Sequence, residues 1–263
     1  MSTSETKSSD PYSHFAKRVS HALIDQDPFP HFYIDDVFPT AFYSQLLDRL
    51  PDPSIYENLY AVTDLKLEHF RHRDQRDFVS GWTEGLPSAK RIFWDDLNRW
   101  FLGPDVIDHL LEAFAVQFHE KLGRKPHHDE VSVEAQLIRH RAGYFLGPHS
   151  DLYSKLVVVL LYLAADESTP QVGTSLYRPK NEDFICPLGT HHQFHDFIRV
   201  KTVPFKPNSM LAFFRSDRSF HGVEPLDEES IAGGRDLIQY VIYDKSLRTE
   251  QLVSRQRMDV NRG

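Results

Sequence analysis

The sequence predicts an α+β fold, with N-terminal helices packed outside an antiparallel double sheet or barrel. Two observations support this prediction. Before residue 126, apolar residues recur mainly at helical spacing; after Pro126, six β-rich segments follow one another, separated by short turns that contain Gly, Pro, Asn and Asp. That many strands without long helices between them are typical of a double sheet or barrel. We therefore expect one folded domain at 12–245, helical in 12–125 and β-rich in 126–245, between a flexible tail at 1–11 and a C-terminal tail at 246–263.

The helical half is divided by proline. Pro28-Phe29-Pro30 breaks the first helical pattern before the aromatic strand His31–Ile34, and Pro51 ends the second helix. The charged run Leu67–Asp77 is interpreted as a solvated helical face, in preference to a substrate patch. The predicted helices span Tyr12–Leu23, Thr40–Leu50, Ser88–Leu102 and Val106–Leu122.

The second half is predicted to form strands, because its segments are rich in β-branched and aromatic residues. Its longest apolar run, Leu156–Ala165, is about half of the roughly 20 residues that a membrane helix requires, so a buried strand is expected there. The predicted strands are Val131–Arg141, Leu156–Leu163, Thr174–Tyr177, Phe197–Val203, Met210–Phe214 and Leu237–Tyr243.

Charge and cysteine content restrict the class of protein. A formal net charge of -8 opposes broad attraction to phosphate backbones, so no nucleic-acid partner is expected. The single cysteine, Cys186, cannot form an internal disulfide, and no apolar leader segment is present near the N-terminus. We expect a soluble cytoplasmic protein without a membrane partner, and the oligomeric state stays open.

Two His-x-Asp tripeptides stand out, and their surroundings differ. In Gly147-Pro-His149-Ser-Asp151, an extended backbone would point the imidazole and the carboxylate to the same face, where both could bind one ion. This tripeptide lies in a Gly/Pro turn between two predicted strands, at the rim where barrels place ligands. The other, His127-His-Asp129, lies in a hydrophilic turn and is interpreted as solvated surface.

A third ligand candidate, His221, follows Asp151 by 70 residues. It comes after the predicted strand Met210–Phe214, and Gly222 beside it permits close backbone approach. Two histidines and one carboxylate, with the remaining positions open, suit an Fe(II) ion that activates dioxygen. The chain offers no closed set of four ligands, which disfavours structural zinc.

Arg235 begins the last predicted strand, 14 residues beyond His221. A guanidinium is always charged and its two parallel N–H groups match a carboxylate. An arginine that enters the interior of a barrel is therefore well explained by an acidic cosubstrate, whereas Arg235 alone would be taken for a surface residue after Gly233-Gly234.

The order of His149-x-Asp151, an apolar strand, His221-Gly-Val and Arg235 resembles the Fe(II)/2-oxoglutarate-dependent oxygenases, and most closely their prolyl-hydroxylase-like branch. The resemblance covers roughly 30–245 and implies a double-stranded β-helix (a jelly-roll, cupin-like core). It implies that His149, Asp151 and His221 bind iron and that Arg235 pairs with the distal carboxylate of 2-oxoglutarate. Tyr162, with Tyr144 as a second candidate, would contact the same carboxylate. Where relatives often carry a Gly-Gly pair, this chain has Val172-Gly173-Thr174. This difference weakens any transfer of substrate contacts from the prolyl hydroxylases to this chain.

The resemblance implies Fe(II), 2-oxoglutarate and dioxygen as cofactors and cosubstrates, with ascorbate as a further one to be considered. Three functions remain open. The first is a hydroxylase of a small metabolite, sugar-like or amino-acid-like group, which releases succinate and CO2. The second is a protein or peptide hydroxylase of the prolyl-hydroxylase type, and the third is a non-catalytic cupin-like metal-binding module. The segment His191–Asp196 is interpreted as a surface or lid loop, with a second metal site as the alternative.

Overall fold

The computed structural model describes residues 10–64, 66–186, 189–231 and 233–250. Within them, eleven strands form two sheets in which every pairing is antiparallel. The strands are β1 His31–Ile34, β2 Glu57–Asn58, β3 Arg73–Asp77, β4 Val131–His140, β5 Leu146–His149, β6 Lys155–Tyr162, β7 Thr174–Pro179, β8 Phe197–Val203, β9 Ser209–Phe214, β10 His221–Val223 and β11 Arg235–Asp244. The larger sheet has the order β1-β9-β6-β11-β4-β3-β2, and the smaller has the order β5-β10-β7-β8.

The burial of strand β6 explains why its sequence is apolar after Lys155. Successive side chains of a strand point to opposite faces, and both faces of this strand are covered. The side chains on one face join the core between the sheet and the helices, and those on the other join the core on the cavity side. The first set is Val157, Val159 and Leu161, and the second is Val158, Leu160 and Tyr162. Each fully buried side chain of this size contributes about 1.5–3 kcal/mol.

Helix side chains pack on the outer face of the seven-stranded sheet. The ring of Phe101 lies 5.1 Å from that of Tyr240, and the ring of Phe118 lies 5.0 Å from that of Phe214. The first helix begins at Pro11, and the Asp10 carboxylate accepts a hydrogen bond from the Ser13 N–H. The helices are α1 Pro11–Ser20, α2 Thr40–Asp48, α3 Leu59–Val62, α4 Ser88–Phe101, α5 Pro104–Ala113 and α6 Ala115–Leu122.

Two local predictions were wrong. The single helix expected at Val106–Leu122 is two helices, because the backbone leaves helical geometry at Phe114, whose buried ring stacks on Phe32 at 5.5 Å. The segment Leu67–Asp77, expected as a helical face, forms a 3-10 turn and then β3. Strand β3 is polar along its whole length and is held by backbone pairing with β4, which hydrophobic periodicity does not detect.

The predicted tails fall largely outside the described residues. Residues 1–9 of the N-terminal tail and 251–263 of the C-terminal tail belong to the part that the structure does not describe. Helix α1 already begins at Pro11, and residues 245–250 are helical, with the Arg248 guanidinium bonded to Glu134. In the described ranges, no helix has the length and apolar character needed to cross a membrane.

Candidate metal centre

Strands β5 and β10 bring the three predicted metal ligands together. His149 ends β5 and lies directly opposite His221, the first residue of β10, in the antiparallel pairing. A β-carbon on Gly222 would lie 2.4 Å from the Leu146 carbonyl oxygen, so the close approach of these strands requires glycine. Asp151 follows two residues after His149, and ligand atoms of all three residues lie within 4.8 Å of one another. All three side chains are buried.

Backbone carbonyl groups orient both histidines. The Nδ1 atom of His149 lies 3.0 Å from the Gly147 carbonyl oxygen, and that of His221 lies 3.0 Å from the Ser219 carbonyl oxygen. Because a carbonyl oxygen can only accept, Nδ1 carries the proton in each ring and Nε2 presents a lone pair. Burial lowers the pKa of both histidines, which favours the neutral form that binds metals. Ligand histidines of metal sites are oriented in this way.

Asp151 supplies one oxygen without a partner. Its Oδ1 accepts a hydrogen bond from the Lys155 ammonium, whereas its Oδ2 is buried, forms no hydrogen bond and lies 3.5 Å from Nε2 of His221. Burial alone would raise the pKa of this carboxyl, but the Lys155 ammonium holds that pKa well below its usual range. An ionised oxygen and two nitrogen lone pairs that face one another in a buried place fit a divalent cation.

These ligands line a cavity of about 360 Å³, and the same cavity contains Arg235. Arg235 is 1% exposed, and its guanidinium bonds only to neutral groups: the Val172 carbonyl at 2.6 Å, His140 Nδ1 at 2.9 Å and Thr174 Oγ1 at 3.2 Å. Among the described residues, no carboxylate lies within 4.0 Å of it. A buried charge without a counter-charge is costly, and an anionic ligand in the cavity would supply the missing charge.

The two candidate tyrosines occupy different places. The Tyr162 hydroxyl donates a hydrogen bond to Thr174 Oγ1 at 2.7 Å, and the Tyr162 ring lies beside the Arg235 guanidinium. Tyr162 therefore helps to position Arg235. Tyr144 lines the cavity, stacks on His140 at 3.8 Å and has a buried hydroxyl without a hydrogen-bond partner. Of the two, Tyr144 is placed to reach a molecule in the cavity.

The second His-x-Asp also forms a cluster. His127, His128 and Asp129 have ligand atoms within 4.8 Å of one another, but His127 and Asp129 are exposed. Nδ1 of His128 already lies 2.7 Å from the Asp108 carboxylate. This turn is at the surface, as the sequence predicts.

Several residues of the cavity wall were not identified from the sequence. Lys155 directly precedes the apolar run of β6, and its spacing of four from Asp151 was a usable signal. Arg73 and Gln136 lie on strands in which no local sequence pattern indicates the face that borders the cavity. His191, in the segment expected to be a surface or lid loop, lines the cavity 4.8 Å from the His149 ring, and burial lowers its pKa to about 4.

No protein-family model and no curated protein matches the sequence, whereas solved structures match the fold. A prolyl hydroxylase from Trichoplax adhaerens, in complex with a peptide fragment of the hypoxia inducible factor oxygen degradation domain, is 13% identical, with 90% of this chain and 93% of that chain covered and a TM-score of 0.50. A prolyl-4-hydroxylase from Pseudomonas putida is 15% identical, with 88% and 99% covered and a TM-score of 0.48. The first likeness shows that the chain shares the fold of that hydroxylase, with a jelly-roll core.

Proposed function

We propose that this protein is a non-haem Fe(II)- and 2-oxoglutarate-dependent dioxygenase that hydroxylates a small molecule and releases succinate and CO2. One observation carries the proposal. A single cavity contains both a buried set of two histidines and one carboxylate and a buried arginine without a counter-charge. The first feature suits Fe(II), and the second suits a carboxylate ligand.

The metal fits the residues that are present. His149 and His221 offer Nε2 atoms whose opposite ring nitrogens are held by carbonyl groups, and Asp151 offers its unpartnered Oδ2. Three protein ligands leave coordination positions for small molecules. When bound, iron and 2-oxoglutarate supply the oxidising chemistry, and the chain binds, orients and shields the reactants.

The cosubstrate fits the other part of the cavity. Arg235 is fixed by Val172, His140 and Thr174, and its guanidinium would pair with the distal carboxylate of 2-oxoglutarate. Tyr144 supplies a hydroxyl in the same cavity that has no hydrogen-bond partner among the described residues. A non-catalytic metal-binding module would have no need for a buried arginine at this place.

A small-molecule substrate is favoured by the cavity. Its volume of about 360 Å³ lies within the range of sites for small ligands, and part of it is required for 2-oxoglutarate. A peptide hydroxylase on the same chemistry would require a groove that continues from this cavity over the surface.

The decisive experiment measures succinate formed from 2-oxoglutarate by the purified protein with Fe(II) and dioxygen. We expect formation by the wild type, none by His149→Ala, and an unchanged rate for the matched control His127→Ala, which alters the exposed His-x-Asp. Succinate formation that persists in His149→Ala would overturn the ligand assignment, and its absence from the wild type would overturn the proposed activity. Stimulation by the small-molecule fraction of a cell extract, but not by its protein fraction, would decide between the substrate classes.

A further inference from the structure

Arg73, which lies outside the strands predicted from the sequence, adds a further guanidinium to the cavity that contains Arg235. It is the first residue of β3 and pairs in register with His140 of β4, on the side of the seven-stranded sheet that faces the metal ligands. Alternation along β3 turns the next arginine, Arg76, to the other face, where its guanidinium donates to the Trp82 carbonyl. Strand β3 therefore places one of its two arginines in the cavity.

The bonding of Arg73 is incomplete. Its Nη2 donates to Gln136 Oε1 at 2.7 Å, and its Nε is buried without a hydrogen-bond partner in the part of the chain that the structure describes. No carboxylate of the described residues lies within 4.0 Å of its guanidinium. Two arginines nearby are ion-paired, Arg139 of β4 with Asp236 at 2.6 Å and Arg141, just after β4, with Asp74 at 2.9 Å, whereas Arg76 of β3 donates to a carbonyl on the other face. Arg73 thus differs from its neighbours in facing the cavity without a counter-ion.

The other cations that line the cavity are engaged. Lys155 forms an ion pair with Asp151, and Arg248 forms one with Glu134. Arg235 is the more deeply buried guanidinium and is assigned above to 2-oxoglutarate, whereas Arg73 is partly exposed at the edge of the sheet. A molecule that enters after the cosubstrate would therefore meet Arg73.

Two glutamines extend the polar wall beside Arg73. Gln136 of β4 and Gln239 of β11 are register partners, and both line the cavity. Primary amides donate hydrogen bonds without adding charge, and a guanidinium with an unused N–H binds a carboxylate or phosphate well. Neutral donors beside one free cation form a binding surface for a single anionic group.

We propose that Arg73, with Gln136 and Gln239, binds an anionic group of the primary substrate, a carboxylate or a phosphate. This proposal rests on the proposed function, because it presumes that Arg235 and the metal hold 2-oxoglutarate. It makes Arg73 the residue that determines substrate specificity, and it narrows the substrate class to acidic small molecules.

The first test uses inorganic sulfate as the probe and calorimetric titration of protein loaded with Mn(II) and 2-oxoglutarate. We expect sulfate binding to weaken at least about tenfold in Arg73→Gln, to be partly restored in Arg73→Lys, and to stay within about twofold of wild type in the matched control Arg76→Gln. Sulfate binding that is absent from the wild type, or equal in Arg73→Gln, would overturn the proposal. So would loss of 2-oxoglutarate binding instead of sulfate binding in Arg73→Gln.

The second test uses the metabolite fraction of a cell extract, separated on an anion-exchange resin into retained and unretained pools. The retained pool is expected to stimulate succinate formation by the wild type and by Arg76→Gln, but not by Arg73→Gln. Stimulation by the unretained pool alone, or by neither pool, would overturn the proposal. If the wild type forms no succinate at all, the proposed function fails, and sulfate titration without 2-oxoglutarate still decides on Arg73.

Discussion

Two of the three His-x-Asp tripeptides in the chain lie in regions that differ in almost everything else. His127-His-Asp129 forms a surface turn, whereas His149-Ser-Asp151 leaves the end of β5 inside a cavity. In both regions, at least three ligand atoms lie within 4.8 Å of one another. Spacing in the sequence, and even proximity in space, therefore does not distinguish a metal site from a surface cluster.

What distinguishes the two regions is how their donor atoms are used. Nδ1 of His127 accepts a hydrogen bond from the Asp129 backbone N–H, and His128 pairs with Asp108. These contacts occupy ring nitrogens that a metal would need as ligands. In the cavity, backbone carbonyls hold Nδ1 of His149 and leave Nε2 free, and Asp151 keeps one unpartnered oxygen. A site is made by burial and by orientation that exists before the ion arrives.

The largest expected effect is a difference in metal affinity between matched substitutions in the two regions. Asp151→Asn removes the charged ligand, so Mn(II) binding measured by calorimetry is expected to weaken by about a hundredfold or more. The matched change Asp129→Asn in the exposed turn is expected to alter the affinity by less than about twofold. Equal losses in the two variants would mean that the surface turn contributes a metal site of its own.

A smaller effect tests orientation by hydrogen bonding. Lys155→Met removes the donor to Asp151 Oδ1 while keeping a long apolar side chain, and metal affinity is expected to fall about tenfold. Asp108→Asn, which changes the partner of His128 in the surface turn, serves as the control. Tighter metal binding by Lys155→Met would show instead that the ammonium acts mainly by charge repulsion against the ion.

The smallest effect concerns the pH dependence of the buried region. Burial lowers the pKa of His140 well below its ordinary value, so this histidine stays neutral when folded, whereas the unfolded chain takes up a proton below about pH 6.5. The free energy of unfolding should therefore decrease as the pH falls from 7 to 5. In metal-free protein, His140→Asn is expected to reduce this slope by at most about 1.4 kcal/mol per pH unit, measured by urea unfolding. An unchanged slope would contradict the neutral buried state.

Much of the core could be predicted because its residues carry strong local signals. The apolar run of β6 is buried on both faces, and strand β8 begins and ends where its β-branched pattern does. The three metal-ligand candidates stand out because they are polar residues in the turns expected next to such strands. The structure brings them together, and their roles as iron ligands are part of the proposed function.

The remaining features depend on pairing between distant segments. Arg73 could not be singled out within the charged run Leu67–Asp77 because β3 is polar throughout and is held to β4 by backbone bonds, which any sequence can make. The helix break at Phe114 was hidden because apolar spacing continues across it. Gln136 faces the cavity because of its register with Gln239. This pairing joins residues about a hundred positions apart.

The pairing of His149 with His221 has a consequence for the lifetime of the protein. The 71 residues between them include strands β6 to β9, and in the folded chain the two residues lie side by side. An ion bound to both would act as a reversible cross-link that closes this long loop, much as a disulfide does. Loss of metal would then loosen the small sheet first, so chelation should expose its strands β7 and β8 to proteases before the helices yield.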